Sequence, residues 1–133
     1  DWPVEEIEPW LPKLDELGLS PILMVTPNTA LERIERIARA SRSMIYVVSR
    51  MGVTGHETHW GETFQKYIAE IRKHTDLPLA VGFGVRTLDD LNALQGKAEV
   101  AAFCSQYIEW QREDGSDTAA TRMKSIVQAL DPA

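Results

Sequence analysis

Short apolar runs alternate with helical stripes along the chain. Four apolar runs are typical of buried parallel strands, at 21–25, 44–48, 79–83 and 100–104. Around them, apolar residues recur at intervals of three and four, which indicates amphipathic helices. These stripes begin at Val4, Leu31, Phe64, Leu88 and Met123. The order helix, three strand–helix units, strand and final helix predicts an α/β fold with a parallel sheet.

Local signals mark where some of these helices begin and end. Gly18 follows the first stripe, at the position of a C-terminal cap glycine. Thr29 with Glu32, and Thr87 with Asp90, have the spacing of a capping box. Thr29 and Thr87 are therefore predicted as the N-caps of two helices.

Four strands are half the number that an eight-stranded barrel requires. The chain, residues 1–133, is predicted to be a single domain forming half of a (β/α)8 barrel. A small doubly wound sheet is the alternative, because hydrophobic periodicity is the same in both. The sequence begins at Asp1 without a methionine, and we expect it to be part of a longer polypeptide.

Composition narrows the class of protein. Hydrophobic residues make up 44% of the sequence and charged residues 26%, as in ordinary globular domains. The net charge is −6 and the 14 basic residues are dispersed, which argues against nucleic-acid binding. No apolar run approaches the roughly 20 residues of a membrane-spanning helix. With one cysteine, Cys104, an internal disulfide is excluded and a reducing compartment, the cytoplasm, is expected.

Two glycine-rich segments follow consecutive predicted strands. Residues 49–55 follow the second strand, and Gly82-Phe83-Gly84 ends the third. Glycine allows the positive φ and the close backbone approach with which N–H groups surround an anion. In barrels of this kind, phosphate is often bound by loops at the carboxyl ends of the last strands. The pair of loops predicts an anion site, although each glycine alone fits a simple turn and Phe83 alone fits the core equally well.

Other reactive or aromatic side chains have ordinary interpretations. His56 and His59 lack the spacing of a zinc-binding helix, so no metal site is predicted. Cys104, in an apolar run, is expected to be a buried and inert thiol. Trp10 lies in the first stripe and is expected in the core. Trp2 and Trp60 lie at a terminus and in a loop, and a partner surface is a hypothesis for both.

Four sequence elements, taken in order, resemble the tryptophan synthase alpha chain family. They are D-x-P at 1–3, P-I-L at 21–23, Y-x-x-S-R-x-G-V-T-G at 46–55 and G-F-G at 82–84. The resemblance implies the C-terminal half of a TIM barrel. It also implies a lyase of tryptophan biosynthesis that cleaves indole-3-glycerol phosphate to indole and glyceraldehyde 3-phosphate without a cofactor of its own.

The resemblance further implies a partner and roles for single residues. The family's partner is a beta chain that carries pyridoxal phosphate, in a heterotetramer. Thr54 would lie in a closing loop that orients a catalytic aspartate. The implied phosphate-binding or substrate-contacting residues are Tyr46, Gly55, Phe83, Gly84 and Ser105. The implied contacts with the beta chain are Asp1 and Pro3.

Two features depart from the family pattern. The catalytic carboxylates of the family lie in the N-terminal half of the barrel, so this stretch alone is expected to be inactive. Where the family has a Gly-Ser pair after the last strand, this chain has Cys104-Ser105. Ser105 keeps a donor, whereas Glu109, just beyond, is expected to oppose a bound anion.

Two alternative functions remain open from the sequence. One is a non-catalytic half-barrel that binds and activates a tryptophan synthase beta chain. The other is a different sugar-phosphate-binding barrel enzyme with related loops.

Overall fold

The computed structural model describes residues 2–49 and 60–130 of the chain. Asp1, Thr54, Gly55 and both histidines of the glycine-rich loop, His56 and His59, lie outside the described residues. The strands are β1 (Leu23–Val25), β2 (Ile45–Val48), β3 (Leu79–Gly82) and β4 (Val100–Ala101). The helices are α1 (Val4–Ile7), α2 (Leu11–Glu16), α3 (Leu31–Ala40), α4 (Glu62–Arg72), α5 (Leu88–Leu94), α6 (Ser105–Asp114) and α7 (Ser116–Leu130), with a 3-10 turn at Glu8–Trp10 between α1 and α2.

The four strands form one parallel sheet in the order β1-β2-β3-β4. Leu23 is level with Ile45, and Ile45 with Leu79. Each strand is thus added on the same side of the one before it. A doubly wound sheet reverses this direction near its middle, so the strand order favours the barrel over the alternative. Right-handed crossovers in such an order place all the crossover helices on one face of the sheet.

The core lies between this helix-covered face and the helices. Alternate strand residues point into it, and Val25, Ile45, Leu79 and Val81 have no exposed surface. They pack with apolar residues of the crossover helices: Ile34, Ile37, Phe64, Ile68, Ile71, Leu91 and Leu94.

The opposite face of the sheet is exposed at both outer strands among the described residues, whereas Ala80 in its centre is buried. Met24, Tyr46, Ala80 and Val100 form one row across the four strands. Met24 is 37% exposed and Val100 41%. This is the face that points into the interior of a closed barrel.

Two of the predicted helix boundaries are confirmed. Gly18 has φ +67, its N–H bonds to Asp15 (3.1 Å), and the Leu19 N–H bonds to Leu14 (2.9 Å), which together make a Schellman cap. Thr87 and Asp90 form the predicted capping box at the start of α5.

The prediction that Thr29 caps α3 is wrong. The N-cap of α3 is Ala30, without a side-chain cap bond. The Thr29 hydroxyl accepts instead from the backbone N–H of Thr26 at 2.9 Å. The residues before α3 thus form their own turn, which competes with a capping role for threonine.

The first predicted helix is interrupted, and the prediction for Trp10 is wrong. Pro9 and Pro12 lie at the starts of the 3-10 turn and of α2, where they lack the N–H that would continue one helix. The break turns Trp10 out of the stripe, and its side chain is 55% exposed. It packs against Trp2, with ring centroids 6.3 Å apart.

Helix α6 was not predicted from the sequence. None of its residues is buried, so it has no apolar stripe to reveal it. It packs against α7, which also contacts α5. Among the helices that the structure describes, none is both long and apolar enough to cross a membrane.

Candidate functional site

A pocket of about 190 Å³ opens at the carboxyl edge of the sheet, between the ends of β2, β3 and β4. It is lined by Tyr46, Phe83, Gly84, Val85, Ala102, Cys104 and Ser105. Four residues predicted as site residues, which come from three separate segments of the sequence, therefore line the same pocket. They are Tyr46, Phe83, Gly84 and Ser105.

The turn after β3 has an unusual backbone. Phe83 and Gly84 both have positive φ, at +68 and +100. For phenylalanine this left-handed conformation costs about 1 kcal/mol. Ser49 holds the turn in place, because its N–H bonds to the Gly82 carbonyl at 3.0 Å and its hydroxyl donates to the Phe83 carbonyl. The Phe83 ring is left 40% exposed at the pocket, outside the core.

Tyr46 forms the floor of the pocket beside Phe83. The two rings meet edge to face, with centroids 6.3 Å apart and planes at 79°, a favourable aromatic geometry. Burial, together with the nearby Cys104 thiol, raises the pKa of Tyr46. Its hydroxyl is therefore protonated at neutral pH and can donate a hydrogen bond.

The other wall of the pocket is the start of α6. Ile108 N–H bonds to the Cys104 carbonyl at 3.1 Å, so the N–H groups of residues 105–107 precede the first intrahelical donor. Unpaired N–H groups and the helix dipole at such an end favour an anion. Gly84 and Ser105 thus bring a left-handed turn and a helix N-terminus to one cavity.

The expectation that Cys104 is buried is wrong. Strand β4 ends at Ala101, and Cys104 is the N-cap of α6 with an exposed thiol. Its φ of −107 is an ordinary value for a residue with a Cβ. A glycine is therefore not required there by the backbone conformation, although the side chain occupies one margin of the pocket.

The sequence suggested that Glu109 is an isolated negative charge near the pocket, but the structure pairs it with an arginine. Arg86 Nη2 forms an ion pair with its carboxylate, and Arg86 Nε donates to Gln106 Oε1 at 3.0 Å. The pair offsets the charge of Glu109. Sequence reasoning missed Arg86, whose one signal is its position two residues after the G-F-G element.

Asp90 connects the same turn to α4. Its carboxylate accepts from Trp60 Nε1 at 2.6 Å, from Arg86 N–H at 2.9 Å and from Thr87 N–H at 2.8 Å. Burial alone would raise the pKa of Asp90, but these hydrogen bonds outweigh it and hold the pKa below its ordinary value. Trp60 also packs edge to face on Phe64, with centroids 4.9 Å apart, so these contacts of Trp60 are internal.

A second cavity, of about 250 Å³, lies beside β1, away from the pocket lined by Tyr46 and Ser105. Trp2, Pro3, Ile22 and Met24 are among the residues that line it. It contains no cluster of reactive side chains. Within residues 2–49 and 60–130, no group of three or more His, Cys, Asp or Glu side chains is placed to hold a metal ion.

In this chain each parallel strand is added on the same side of the sheet, and an aromatic pocket lies beside a helix N-terminus at the carboxyl ends of the strands. Phosphate-binding (β/α) barrels have this arrangement. The family model of the tryptophan synthase alpha chain matches residues 1–132. The chain belongs to the tryptophan synthase alpha chain family, as its motifs suggested.

Individual relatives agree with this assignment. The chain is 38% identical over 126 residues to the tryptophan synthase alpha chain of Desulforapulum autotrophicum, covering 95% of this chain and 50% of that protein. It is 36% identical over 135 residues to that of Acaryochloris marina, covering 98% and 51%. The chain thus spans about half the length of the curated relatives it matches.

Solved structures confirm the barrel fold. A tryptophan synthase structure from Mycobacterium tuberculosis matches with TM-score 0.76 and 27% identity, over 90% of this chain and 46% of that one. A tryptophan synthase α2β2 complex from Pyrococcus furiosus matches with TM-score 0.77 and 24% identity, over 98% and 53%. The described sheet therefore corresponds to part of a TIM barrel.

Proposed function

We propose that this chain supplies the phosphate-binding and indole-contacting part of a lyase that cleaves indole-3-glycerol phosphate to indole and glyceraldehyde 3-phosphate. The observation that carries the proposal is the meeting of Tyr46, Phe83, Gly84 and Ser105 at one pocket. Family membership supplies the reaction, and the pocket has the chemistry of both ends of that substrate.

The phosphate end of the substrate matches the polar side of the pocket. Gly84 is in a left-handed turn and Ser105 opens α6, so backbone N–H groups and a helix dipole are available to an anion. The Ser105 hydroxyl adds a donor. Gly55, from the glycine-rich loop, would complete this group.

The indole end matches the aromatic side. The exposed Phe83 ring offers a surface on which an aromatic substrate can pack, and Tyr46 fixes that ring from its edge. The Tyr46 hydroxyl, protonated at neutral pH, can donate to the substrate. Thr54 would assist by closing the loop over the bound molecule.

Cleavage itself needs a proton delivered to the indole ring and another removed from a glycerol hydroxyl, a task for two carboxylates with separate roles. The family places both in the other half of the barrel. The residues of this chain therefore bind and orient the substrate, and we expect this stretch alone to be inactive. In the complete protein, Asp1 and Pro3 would contact a beta chain holding pyridoxal phosphate, in a cytoplasmic heterotetramer.

The test is indole release from indole-3-glycerol phosphate by the complete protein that carries this chain. Phe83→Ala should raise KM by about tenfold, because an aromatic contact with the substrate is lost. Trp10→Ala, an exposed ring far from the pocket, is the matched control and should leave KM unchanged. Equal KM values for wild type and Phe83→Ala would contradict the role given to Phe83.

One observation favours a second candidate, a non-catalytic activator of the beta chain. The exposed Cys104 side chain occupies a margin of the pocket where the family has glycine. Titration of the beta chain with and without glycerol phosphate separates the two. An activator binds the beta chain and stimulates it without releasing indole.

Tight binding of another sugar phosphate, with no indole released, would favour a different barrel enzyme.

A further inference from the structure

The carboxylate of Glu109 lies one helical turn after Ser105, on the same side of α6. A fixed negative charge one helical turn from a bound phosphate weakens its binding, because water at a half-exposed side chain screens the repulsion only in part. The chain nevertheless combines Glu109 with the turn and helix end that favour an anion.

The guanidinium of Arg86 is in position to offset this charge. It forms an ion pair with Glu109 and a second bond to Gln106 at 3.0 Å. Glu109 and Gln106 lie on α6, whereas Arg86 belongs to the turn that carries Gly84. The Arg86 side chain is 24% exposed, so its charge is screened less than that of a surface pair.

The backbone of Arg86 is itself fixed. Its N–H donates to Asp90 Oδ2 at 2.9 Å, and Asp90 is anchored by the capping box of α5 and by Trp60. The guanidinium is therefore supplied from a rigid turn, and α6 is held against that turn through two of its side chains.

We infer that Arg86 is a positioning residue that allows the pocket to bind an anion. It neutralises the charge of Glu109 and holds that carboxylate away from the bound phosphate. The inference rests on the proposed function, since it concerns the same pocket. It gives Arg86 an action through Glu109, not a direct contact with the substrate.

The experiment measures the affinity of the complete protein that carries this chain for inorganic phosphate by titration, following the amide NMR signals of Gly84 and Ser105. Arg86→Gln should weaken binding about tenfold, because Glu109 is left unpaired beside the anion. Arg86→Gln combined with Glu109→Gln should return to within about threefold of wild type, since both the charge and its partner are removed. The loss in Arg86→Gln should shrink as salt is added.

The matched control is Arg72→Gln. Arg72 also pairs with a carboxylate, that of Glu99, but at the opposite edge of the sheet. The Arg72→Gln substitution removes one positive charge, as Arg86→Gln does, and should leave phosphate affinity unchanged. Thermal unfolding of each variant checks the fold. If Arg86→Gln fails to fold, Glu109→Gln alone decides, and it should tighten phosphate binding by about threefold.

The outcomes are distinct. If Arg86→Gln binds phosphate weakly and the added Glu109→Gln does not restore the affinity, the inference is overturned. The proposal that the pocket binds phosphate is not contradicted by that result. Unchanged phosphate affinity in Arg86→Gln would also overturn the inference without contradicting the pocket. Weaker phosphate binding in Glu109→Gln alone would have the same meaning. Absence of phosphate binding in the wild-type complete protein would overturn the proposed function, and the inference with it.

Discussion

Gly82 lies directly beneath the Tyr46 ring, at the end of β3. A Cβ built on Gly82 would be 2.5 Å from Tyr46 Cζ, closer still to the hydroxyl oxygen, and 3.3 Å from Ala102 Cβ. The ring of Tyr46 can occupy its place under the pocket only because this position has no side chain. Gly82 is thus required for close approach and not for an unusual φ.

Gly82→Ala should lower the free energy of unfolding by about 1–3 kcal/mol, because the new methyl overpacks against the ring and forces it toward the pocket. Denaturant unfolding monitored by fluorescence measures the loss. In a Tyr46→Ala background the same substitution should cost less than half as much, as the clash is gone. Additive losses in the double variant would contradict the proposed contact.

At the scale of elements, α5 is connected to its surroundings by the side chain at its third position. Asp90 closes the capping box with Thr87 and also accepts from Trp60, just before α4, and from the backbone of Arg86. One ionised carboxylate therefore fixes the start of α5, the turn of the candidate site and the beginning of α4.

Asp90→Asn should destabilise the chain by about 1 kcal/mol at pH 7, because charge-assisted bonds become neutral ones. The pKa of Asp90 is held below its ordinary value of 3.8. Its stabilising contribution is therefore present above that value and is lost as pH falls through the lower pKa of the folded state. Thermal unfolding at pH 7, 5 and 3 should show wild type and Asp90→Asn converging in acid.

Asp89→Asn is the matched control for this prediction. It makes the same charge change in the same helical turn, at an exposed side chain. We expect a smaller loss at pH 7 than that of Asp90→Asn. A constant difference between wild type and Asp90→Asn at all three pH values would contradict the assigned role of the carboxylate.

Across the whole molecule, the two faces of the sheet differ in what covers them. Val25 has no exposed surface and packs under the helices, whereas its neighbour Met24 is 37% exposed on the opposite face. Adjacent residues of β1 thus contribute unequally to the stability of the chain, since only one face of this strand is covered by helices.

Val25→Ala should lower the free energy of unfolding of this chain by about 2–3 kcal/mol, as buried methyl groups are lost and a cavity is left. Met24→Ala should cost less than about 1 kcal/mol, because its side chain already contacts water. Urea unfolding of the two variants measures the difference. Similar losses at both positions would show that the Met24 face is covered in solution.

The sequence alone predicted the alternation of strands and helices, because short apolar runs and three-to-four spacing report local burial directly. It also determined the Gly18 and Thr87 boundaries, since caps are built from neighbouring residues. It missed α6, which buries no side chain and so leaves no stripe, and it misjudged Trp10, because two prolines rotated the helix that carried it.

Tertiary structure alone decided the direction of strand order, which separates a barrel from a doubly wound sheet with the same periodicity. It also decided that Cys104 is exposed and that Glu109 is paired with Arg86, a residue 23 positions away along the chain. Motif resemblance predicted that Tyr46, Phe83, Gly84 and Ser105 share a function, but not the charges around them. The reason is physical: local patterns record which residues are buried, whereas burial and charge at a pocket depend on segments that only folding brings together.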